Sequence, residues 1–265
     1  MNQPKPDQTE RPAPGGRVAL VTGAGRGIGR VIACALAARG DRVMAVSRTE
    51  PELADLAHET GVEYLVESVS TPEGCQHIIE ETRTRLGPVE ILVNNAGVLS
   101  PDELPIYDED PSVWHDVLAT NLHGPFELMR RAARDMIERR FGRIVVVSSS
   151  AGEFGVASMP AYCASRSGLL GLMRAVAQDV GSYNVTCNAV LPGWTKTQMA
   201  DDLVRQTAES QGVSFEQAWD EAVAAYPARR PVDPREIADT VAFLASDSAS
   251  GINGEAITIA LGGVW

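Results

Sequence analysis

Short apolar runs rich in Val, Ile and Leu alternate along the chain with longer segments in which apolar residues recur at helical spacing. The apolar runs predict strands over residues 17–22, 42–47, 62–66, 91–94, 144–148, 185–190 and 256–260. The longer segments predict helices over residues 27–39, 51–60, 72–86, 111–140, 160–180 and 234–244. Strands that alternate with helices in this way form parallel sheets covered on both faces. The pattern therefore predicts a single α/β domain built on a seven-stranded parallel sheet.

Two segments fall outside this alternation. Residues 194–230 form a long, charged stretch of helical propensity between two late strands. Since an insertion there would overhang the carboxyl edge of the sheet, we expect a substrate lid. Residues 1–16 are polar and proline-rich and have no apolar centre, so they are expected to be a disordered leader rather than a signal peptide. The domain is then predicted to span residues 17–265.

Charge and composition exclude several functional classes. A formal net charge of -12 disfavours nucleic acid and anionic membranes as partners, because both are negatively charged. No apolar run approaches the ~18 residues that span a bilayer, and we expect a cytoplasmic protein. The four cysteines and four histidines lie scattered without metal-ligand spacing, so no metal site is predicted.

A glycine-rich run, T-G-A-G-R-G-I-G-R, covers residues 22–30, where the first strand is followed by the first helix. Gly23, Gly27 and Gly29 allow a tight turn and a close approach of the backbone to a phosphate, which the helix N-terminus then stabilises. In this strand–loop–helix context the run indicates a dinucleotide site. Ile28 is predicted to contact the cofactor with these glycines.

The end of the second strand indicates which dinucleotide is bound. NAD sites place an Asp or Glu there, ~20 residues past the glycines, to bind the ribose hydroxyls. This chain has Ser47 and Arg48 instead, and the only acid between Gly29 and Arg48 is Asp41, at the opposite end of that strand. Arg26 in the glycine loop adds a second cation. Two arginines suit a 2′-phosphate, so NADP(H) is predicted over NAD(H).

Further motifs recur in a fixed order after the glycine loop: N-N-A-G at 94–97, Asn121 in T-N-L-H-G, Ser149 in S-S-S-A-G, Tyr162, and P-G-W-T-K-T at 192–197. With T-G-A-G-R-G-I-G they resemble the short-chain dehydrogenase/reductase family over roughly residues 16–265. The resemblance implies a Rossmann fold, a small-molecule carbonyl or alcohol substrate and a homotetramer. We expect its interface on the helices over 111–140 and 160–180, through Val113, Val117, Leu169, Leu172 and Met173.

The resemblance also implies roles for matching residues. Seven cofactor contacts follow from it: Asn95, Ala96 and Gly97 on the adenosine side, and Pro192, Gly193, Thr195 and Thr197 at the nicotinamide end. Asn121 matches the asparagine that anchors a water-mediated proton relay. Pro125 is expected to distort the helix close to that asparagine.

Ser149 and Tyr162 have the chemistry that carbonyl reduction needs. Hydride transfer to a carbonyl develops negative charge on its oxygen, and the Ser149 hydroxyl can donate a hydrogen bond to it. Tyr162 can deliver the proton as general acid, or remove it in the oxidative direction. A free phenol ionises only near pH ~10, so it needs a neighbouring positive charge to work near neutrality. One helical turn on, position 166, is where that cation belongs.

Arg166 stands where the family carries a lysine in its Tyr-x-x-x-Lys pattern. Arginine keeps the charge and can hydrogen-bond ribose hydroxyls, but it cannot release a proton to a relay. The chain uses arginine almost everywhere, since only Lys5 and Lys196 are lysines. We expect Tyr162 and Arg166 to be a catalytic pair that also contacts the cofactor. Ser68 is a further departure, where relatives carry an aspartate near adenine.

The leading functional interpretation is an NADPH-dependent ketoreductase that reduces a fairly apolar carbonyl compound to a secondary alcohol. Two alternatives remain open: a cofactor-binding regulatory or scaffold protein with little turnover, and an NADP-dependent alcohol dehydrogenase. The candidate substrate-pocket residues are Gly152, Glu153, Phe154, Met159, Trp194 and Met199.

Overall fold

All seven predicted strands are present and form one parallel sheet in the computed structural model, which describes residues 16–101 and 104–263. The strands are β1 Val18–Thr22, β2 Arg42–Ser47, β3 Glu63–Val66, β4 Ile91–Asn94, β5 Gly142–Val147, β6 Val185–Pro192 and β7 Ala256–Ile259. Their order in the sheet is β3-β2-β1-β4-β5-β6-β7. The order reverses at β1, beside β4, so the loops after these two strands diverge and open a crevice at the carboxyl edge.

Nine α-helices connect the strands of the described chain: α1 Gly27–Ala38, α2 Glu50–Thr60, α3 Pro72–Arg85, α4 Pro111–Leu118, α5 Gly124–Arg139, α6 Pro160–Val180, α7 Gln198–Gln211, α8 Phe215–Ala222 and α9 Pro234–Leu244. Alternate residues of each strand face opposite sides of the sheet. On one side Leu20, Leu92 and Ile144 pack against α3, α5 and α6. On the other side Val21 and Val93 pack against α1, α2 and α9. The predicted Rossmann architecture is therefore confirmed.

The helix predicted over 111–140 is interrupted. α4 ends at Leu118, a π-helical turn covers Ala119–His123, and α5 starts at Gly124. Pro125 lies in the first turn of α5 and has no N–H, so it cannot bond to the carbonyl of Asn121 as an α-helix would require. The sequence correctly placed a distortion here, and the single continuous helix was wrong.

Residues between β6 and α9 form the predicted helical insertion. α7 and α8 carry a small apolar core of their own, with Trp219, Val204 and Tyr226 buried in it. Trp194 meets Trp219 edge to face at 5.9 Å between ring centroids. The Tyr226 hydroxyl accepts a hydrogen bond from the Trp194 N–H at 2.7 Å, and burial raises the pKa of this phenol. The insertion is thereby fixed to the end of β6.

Three of the five residues expected at a subunit interface lie inside the protomer. Val117, Leu169 and Met173 are 2%, 1% and 0% exposed. Leu169 and Met173 pack into the core on one side of the sheet. That prediction was wrong for them. Phe126 on α5 is the large apolar side chain of these helices that faces outward, at 44% exposure.

Apart from Gly16, the predicted leader lies outside the described residues. Among the helices of the part that is described, none has the length and apolar character to cross a bilayer.

Candidate active site

A cavity of about 510 Å³ opens at the carboxyl edge of the sheet, along the loops that follow β1, β2, β4, β5 and β6. It is lined by every predicted catalytic or cofactor-binding residue except Asn121: Gly23, Arg26, Gly27, Ile28, Gly29, Ser47, Arg48, Asn95, Ala96, Gly97, Ser149, Tyr162, Arg166, Pro192, Gly193, Thr195 and Thr197. The fold thus gathers residues from Gly23 to Thr197 into one hollow, at the edge where such sheets bind their ligands.

The glycine loop has the backbone that the sequence predicted. Gly23 and Gly27 have positive φ angles, 65° and 57°, which other residues rarely adopt. The Asn95 side chain fixes the turn by donating to the carbonyls of Thr22 at 2.9 Å and Gly23 at 3.1 Å. A methyl group added to Gly23 would lie 2.8 Å from the Asn95 amide nitrogen. Gly27, Ile28 and Gly29 at the N-terminus of α1 line the cavity, and no side chain of the described residues caps this helix end, so its backbone N–H groups are unobstructed.

Arg48 and Arg26 are both exposed and line the cavity from different directions. Arg48 follows β2 and forms no ion pair within the described residues. Arg26 donates to Gln198 at the start of α7, at 3.4 Å. Arg48 therefore stands at the β2 end of the cavity with its charge unpaired, while Arg26 bridges the glycine loop and the helical insertion.

Two carboxylates that were not predicted from the sequence, Glu52 and Glu67, also line the cavity. Glu67 precedes Ser68, and its carboxylate bonds His77 at 2.8 Å, which lowers the pKa of Glu67. Glu52 lies in the first turn of α2 and points back toward Ser47. The sequence signals only that Glu52 follows the end of β2 by a few residues, and the direction of its side chain needed the structure.

Asn121 is fully buried at the π-helical turn and does not line the cavity, although its neighbour Thr120 does. Its amide oxygen accepts from the Val98 N–H at 2.8 Å. Its amide nitrogen donates to the Val98 carbonyl at 2.9 Å and to Ser165 Oγ at 3.1 Å. Because the whole side chain is engaged, Asn121 holds the loop after β4 against α6.

Ser149 follows β5 and caps a short 3-10 turn, where its oxygen accepts from the Ala151 N–H at 3.1 Å. That bond uses a lone pair and leaves the hydroxyl proton free to donate into the cavity.

Tyr162 and Arg166 both lie on α6, one turn apart, and both line the cavity. The guanidinium carbon of Arg166 lies 4.9 Å from the centre of the Tyr162 ring. This is cation–π distance, so the positive charge acts on the face of the phenol ring. No hydrogen bond from the described residues engages the Tyr162 hydroxyl, which leaves it accessible to a ligand.

Arg166 is only 6% exposed, and one of its polar atoms is unsatisfied. Nη1 donates to the Val147 carbonyl at 3.2 Å, and Nη2 lies against Gly97, where a side chain would collide with it. Nε is buried without a partner. An unsatisfied, buried, charged donor beside a cavity is costly unless a ligand accepts from it.

The end of the cavity beside α7 is mostly apolar. Phe154, Met159, Trp194 and Met199 line it as predicted, and a smaller hollow of about 170 Å³ continues it between residues 99–101 and α7. Gly152 and Glu153 do not line it, contrary to the prediction. The 3-10 turn directs both away, and the exposed Glu153 accepts from Thr258 Oγ1 at 3.3 Å.

The doubly wound sheet and the cavity at its carboxyl edge are typical of oxidoreductases that bind a dinucleotide. A family model described as enoyl-(acyl carrier protein) reductase, of the short-chain dehydrogenase type, matches residues 23–263. The chain belongs to the short-chain dehydrogenase/reductase family, and it is an oxidoreductase.

Curated relatives are similar over nearly the whole chain. The 3-oxoacyl-acyl-carrier-protein reductase FabG of Salmonella typhimurium is 37% identical over 246 residues, which cover 92% of this chain and 96% of that protein. The acetoacetyl-CoA reductase of Shinella zoogloeoides is 36% identical over 243 residues, 91% of this chain and 96% of that protein.

Solved structures of similar fold include ketone reductases. A variant of actinorhodin polyketide ketoreductase crystallised with NADPH superimposes with a TM-score of 0.88 at 34% identity, covering 94% of this chain and 98% of that chain. The structure of levodione reductase gives a TM-score of 0.88 at 30% identity, and the match covers 93% of this chain and 96% of that chain.

Proposed function

We propose that this protein is an NADPH-dependent ketoreductase that reduces an apolar ketone to a secondary alcohol. One observation carries the proposal: a single cavity joins the glycine loop at one end to Ser149, Tyr162 and Arg166 at the other. The names of the relatives support it, since those reported above are reductases of 3-oxoacyl, acetoacetyl, polyketide or levodione carbonyl groups.

The residues present fit NADP(H). The unobstructed N-terminus of α1 suits a pyrophosphate. Asn95, Ala96 and Gly97 would line the adenosine side, and Arg48 offers an unpaired charge to a 2′-phosphate. Residues 192–197 would hold the nicotinamide end. Arg166 lines the cavity and keeps one donor, Nε, without a partner, so its guanidinium would donate to ribose hydroxyls.

The bound cofactor supplies a hydride to the carbonyl carbon, and this chain's residues do the rest. Ser149 donates its free proton to the carbonyl oxygen and stabilises the developing negative charge. Tyr162 transfers the phenolic proton to that oxygen. Arg166 stabilises the resulting phenolate through the ring face.

Resupply of the proton to Tyr162 would pass through water rather than Arg166, which holds its proton throughout. The side chain of Asn121 is engaged in hydrogen bonds. Its backbone carbonyl, however, lacks the N–H donor that a residue other than proline at position 125 would provide in an α-helix. We propose that this carbonyl holds the relay water.

The substrate is proposed to be a small or medium apolar ketone, because Phe154, Met159, Trp194 and Met199 surround the reacting end. Residues 194–230 would act as its lid. The protein is proposed to assemble as a homotetramer through the outward faces of α5 and α6.

A panel of ketones, β-ketothioesters and α,β-unsaturated thioesters, followed by NADPH absorbance, tests this function. Ketone-dependent consumption is expected, with the reverse reaction slower near neutral pH. NADPH binding without consumption would favour the scaffold interpretation, and consumption with the unsaturated thioesters alone would contradict ketone reduction.

The cofactor preference gives a separate prediction. NADPH should bind at least about tenfold more tightly than NADH, because Arg48 would pair with the 2′-phosphate in a charge-assisted hydrogen bond. Calorimetric titration measures both dissociation constants, and equal values would contradict the preference.

A further inference from the structure

We propose that the Glu52 carboxylate faces the adenosine ribose, where it opposes a 2′-phosphate and accepts from a free 2′-hydroxyl, so that Glu52 limits the preference for NADPH. The proposal rests on the proposed function, since it concerns the same cofactor site.

The position of the carboxylate comes from its neighbours. Glu52, Ser47 and Gly25 all line the cavity. A methyl group placed on Gly25 would lie 2.7 Å from Glu52 Oε2 and 2.9 Å from Ser47 Oγ. The carboxylate therefore lies directly between the glycine loop and the end of β2. This is the region in which doubly wound folds recognise the adenosine ribose.

Glu52 is held there and yet is free to bind. Its backbone carbonyl accepts from Arg30 on α1 at 3.1 Å, which fixes the first turn of α2 against α1. No hydrogen bond or ion pair within the described residues engages its carboxylate, and Arg48 does not pair with it. The carboxylate thus keeps its acceptor positions free for a ligand.

The two dinucleotides differ at this point by one charged group. A phosphate monoester carries about −1.5 to −2 charges at neutral pH and repels a carboxylate. A ribose hydroxyl donates to it instead. The same residue therefore weakens NADPH binding and strengthens NADH binding, against the opposite effect of Arg48.

Glu50 provides a matched control. It is the other acid in the first turn of α2, and its negative charge interacts favourably with the helix dipole in the same way. Unlike Glu52, it does not line the cavity. Glu50→Gln and Glu52→Gln remove the same charge from the same helical turn. A difference between their effects on cofactor binding therefore reports the position of Glu52 in the cavity.

Isothermal titration of the full chain with NADPH, NADH, adenosine 2′,5′-bisphosphate and adenosine 5′-monophosphate tests the proposal. In Glu52→Gln we expect the two 2′-phosphorylated ligands to bind about fivefold more tightly, from Coulomb repulsion across a few ångströms of water-like medium. NADH and the monophosphate should bind equally or more weakly. Glu50→Gln should change the ratio of the two classes by less than about twofold, since surface charges are screened.

An unchanged ratio in Glu52→Gln, or an equal change in Glu50→Gln, overturns this role of Glu52 and leaves the ketoreductase proposal standing. If the unaltered protein binds neither dinucleotide, the proposed function fails and this inference fails with it.

Discussion

At the residue scale, Arg166 decides how the site can work. Its guanidinium spans three features at once, the Val147 carbonyl, the backbone of Gly97 and the face of the Tyr162 ring. A planar fork suits such a position better than a single ammonium group, because its donors point in fixed, separate directions. The site of this chain is therefore built around arginine.

Arg166→Lys should lower both turnover and NADPH affinity by roughly three- to tenfold, the effect of one lost hydrogen bond. Steady-state kinetics and calorimetric titration measure the two quantities. Arg174→Lys is the control, since Arg174 is an exposed arginine on the same helix and outside the cavity. A rise in turnover on Arg166→Lys would show instead that the arginine only impairs a proton relay.

At the level of single residues, the sequence predicted most of the residues that line the site, its arginines included, and missed the carboxylates of Glu52 and Glu67. Motifs with a fixed backbone role, such as the glycine loop, could be placed because backbone geometry is local. Glu52 could not, because its approach to Ser47 depends on how α2 packs against α1. The same limit applied to Glu153, whose direction depends on a short 3-10 turn.

At the element scale, helix ends support the site. α9 begins with a capping box in which Asp233 accepts from the first-turn backbone and Glu236 accepts from the Asp233 N–H at 2.9 Å. Arg230 bonds both oxygens of Glu236, at 2.8 and 2.9 Å. The Arg230 guanidinium and that N–H lower the pKa of Glu236 to about 2. The ion pair of Arg230 and Glu236 joins the end of the helical insertion to α9.

Glu236→Ala should lower the free energy of unfolding by about 1 kcal/mol at pH 7, a value that allows for the partial exposure of the pair. The folded-state pKa is depressed, so the charge-dependent part is present above pH 4.5 and is lost as the pH falls toward about 2.

Urea denaturation at several pH values measures this contribution. Glu216→Ala is the control, because Glu216 lies in the first turn of α8 without an ion pair in the described chain. A difference between Glu236→Ala and the unaltered protein that stays constant from pH 7 to pH 3 would contradict the assignment to charge.

The spacing of hydrophobic residues predicted which segments are helices and which are strands. The residues at which these elements begin and end depend on capping side chains and on proline. The prediction of α6 and α9 was correct to the residue, since each starts at a proline and ends where its apolar period ends. The break between α4 and α5 was foreseen only as a kink, because Pro125 shows that a bond is lost and not which turn replaces it.

At the scale of the whole molecule, the alternation of strands and helices predicted the sheet and its two covered faces. The strand order and the small core of the insertion needed the structure, because they depend on contacts between distant segments. The subunit interface was mispredicted for the same reason: apolar residues on α4 and α6 serve the protomer's own core.

Sedimentation velocity at micromolar concentration should show a species of about four times 28.3 kDa. Phe126→Asp should shift it to smaller species, because it replaces the exposed apolar side chain on the outward face of α5 with a charge. Val66→Asp, at a comparably exposed position on β3, is the control and should leave assembly unchanged. A monomeric unaltered protein would contradict the tetramer.

The most direct test of the account is the turnover of Tyr162→Phe on a ketone that the unaltered protein reduces. We expect a fall of about 10²–10⁴-fold, the usual contribution of one general acid, with little change in NADPH affinity. Tyr107→Phe, in an 82% exposed side chain outside the cavity, should keep full activity. Turnover of Tyr162→Phe equal to that of the unaltered protein would show that this tyrosine does not deliver the proton.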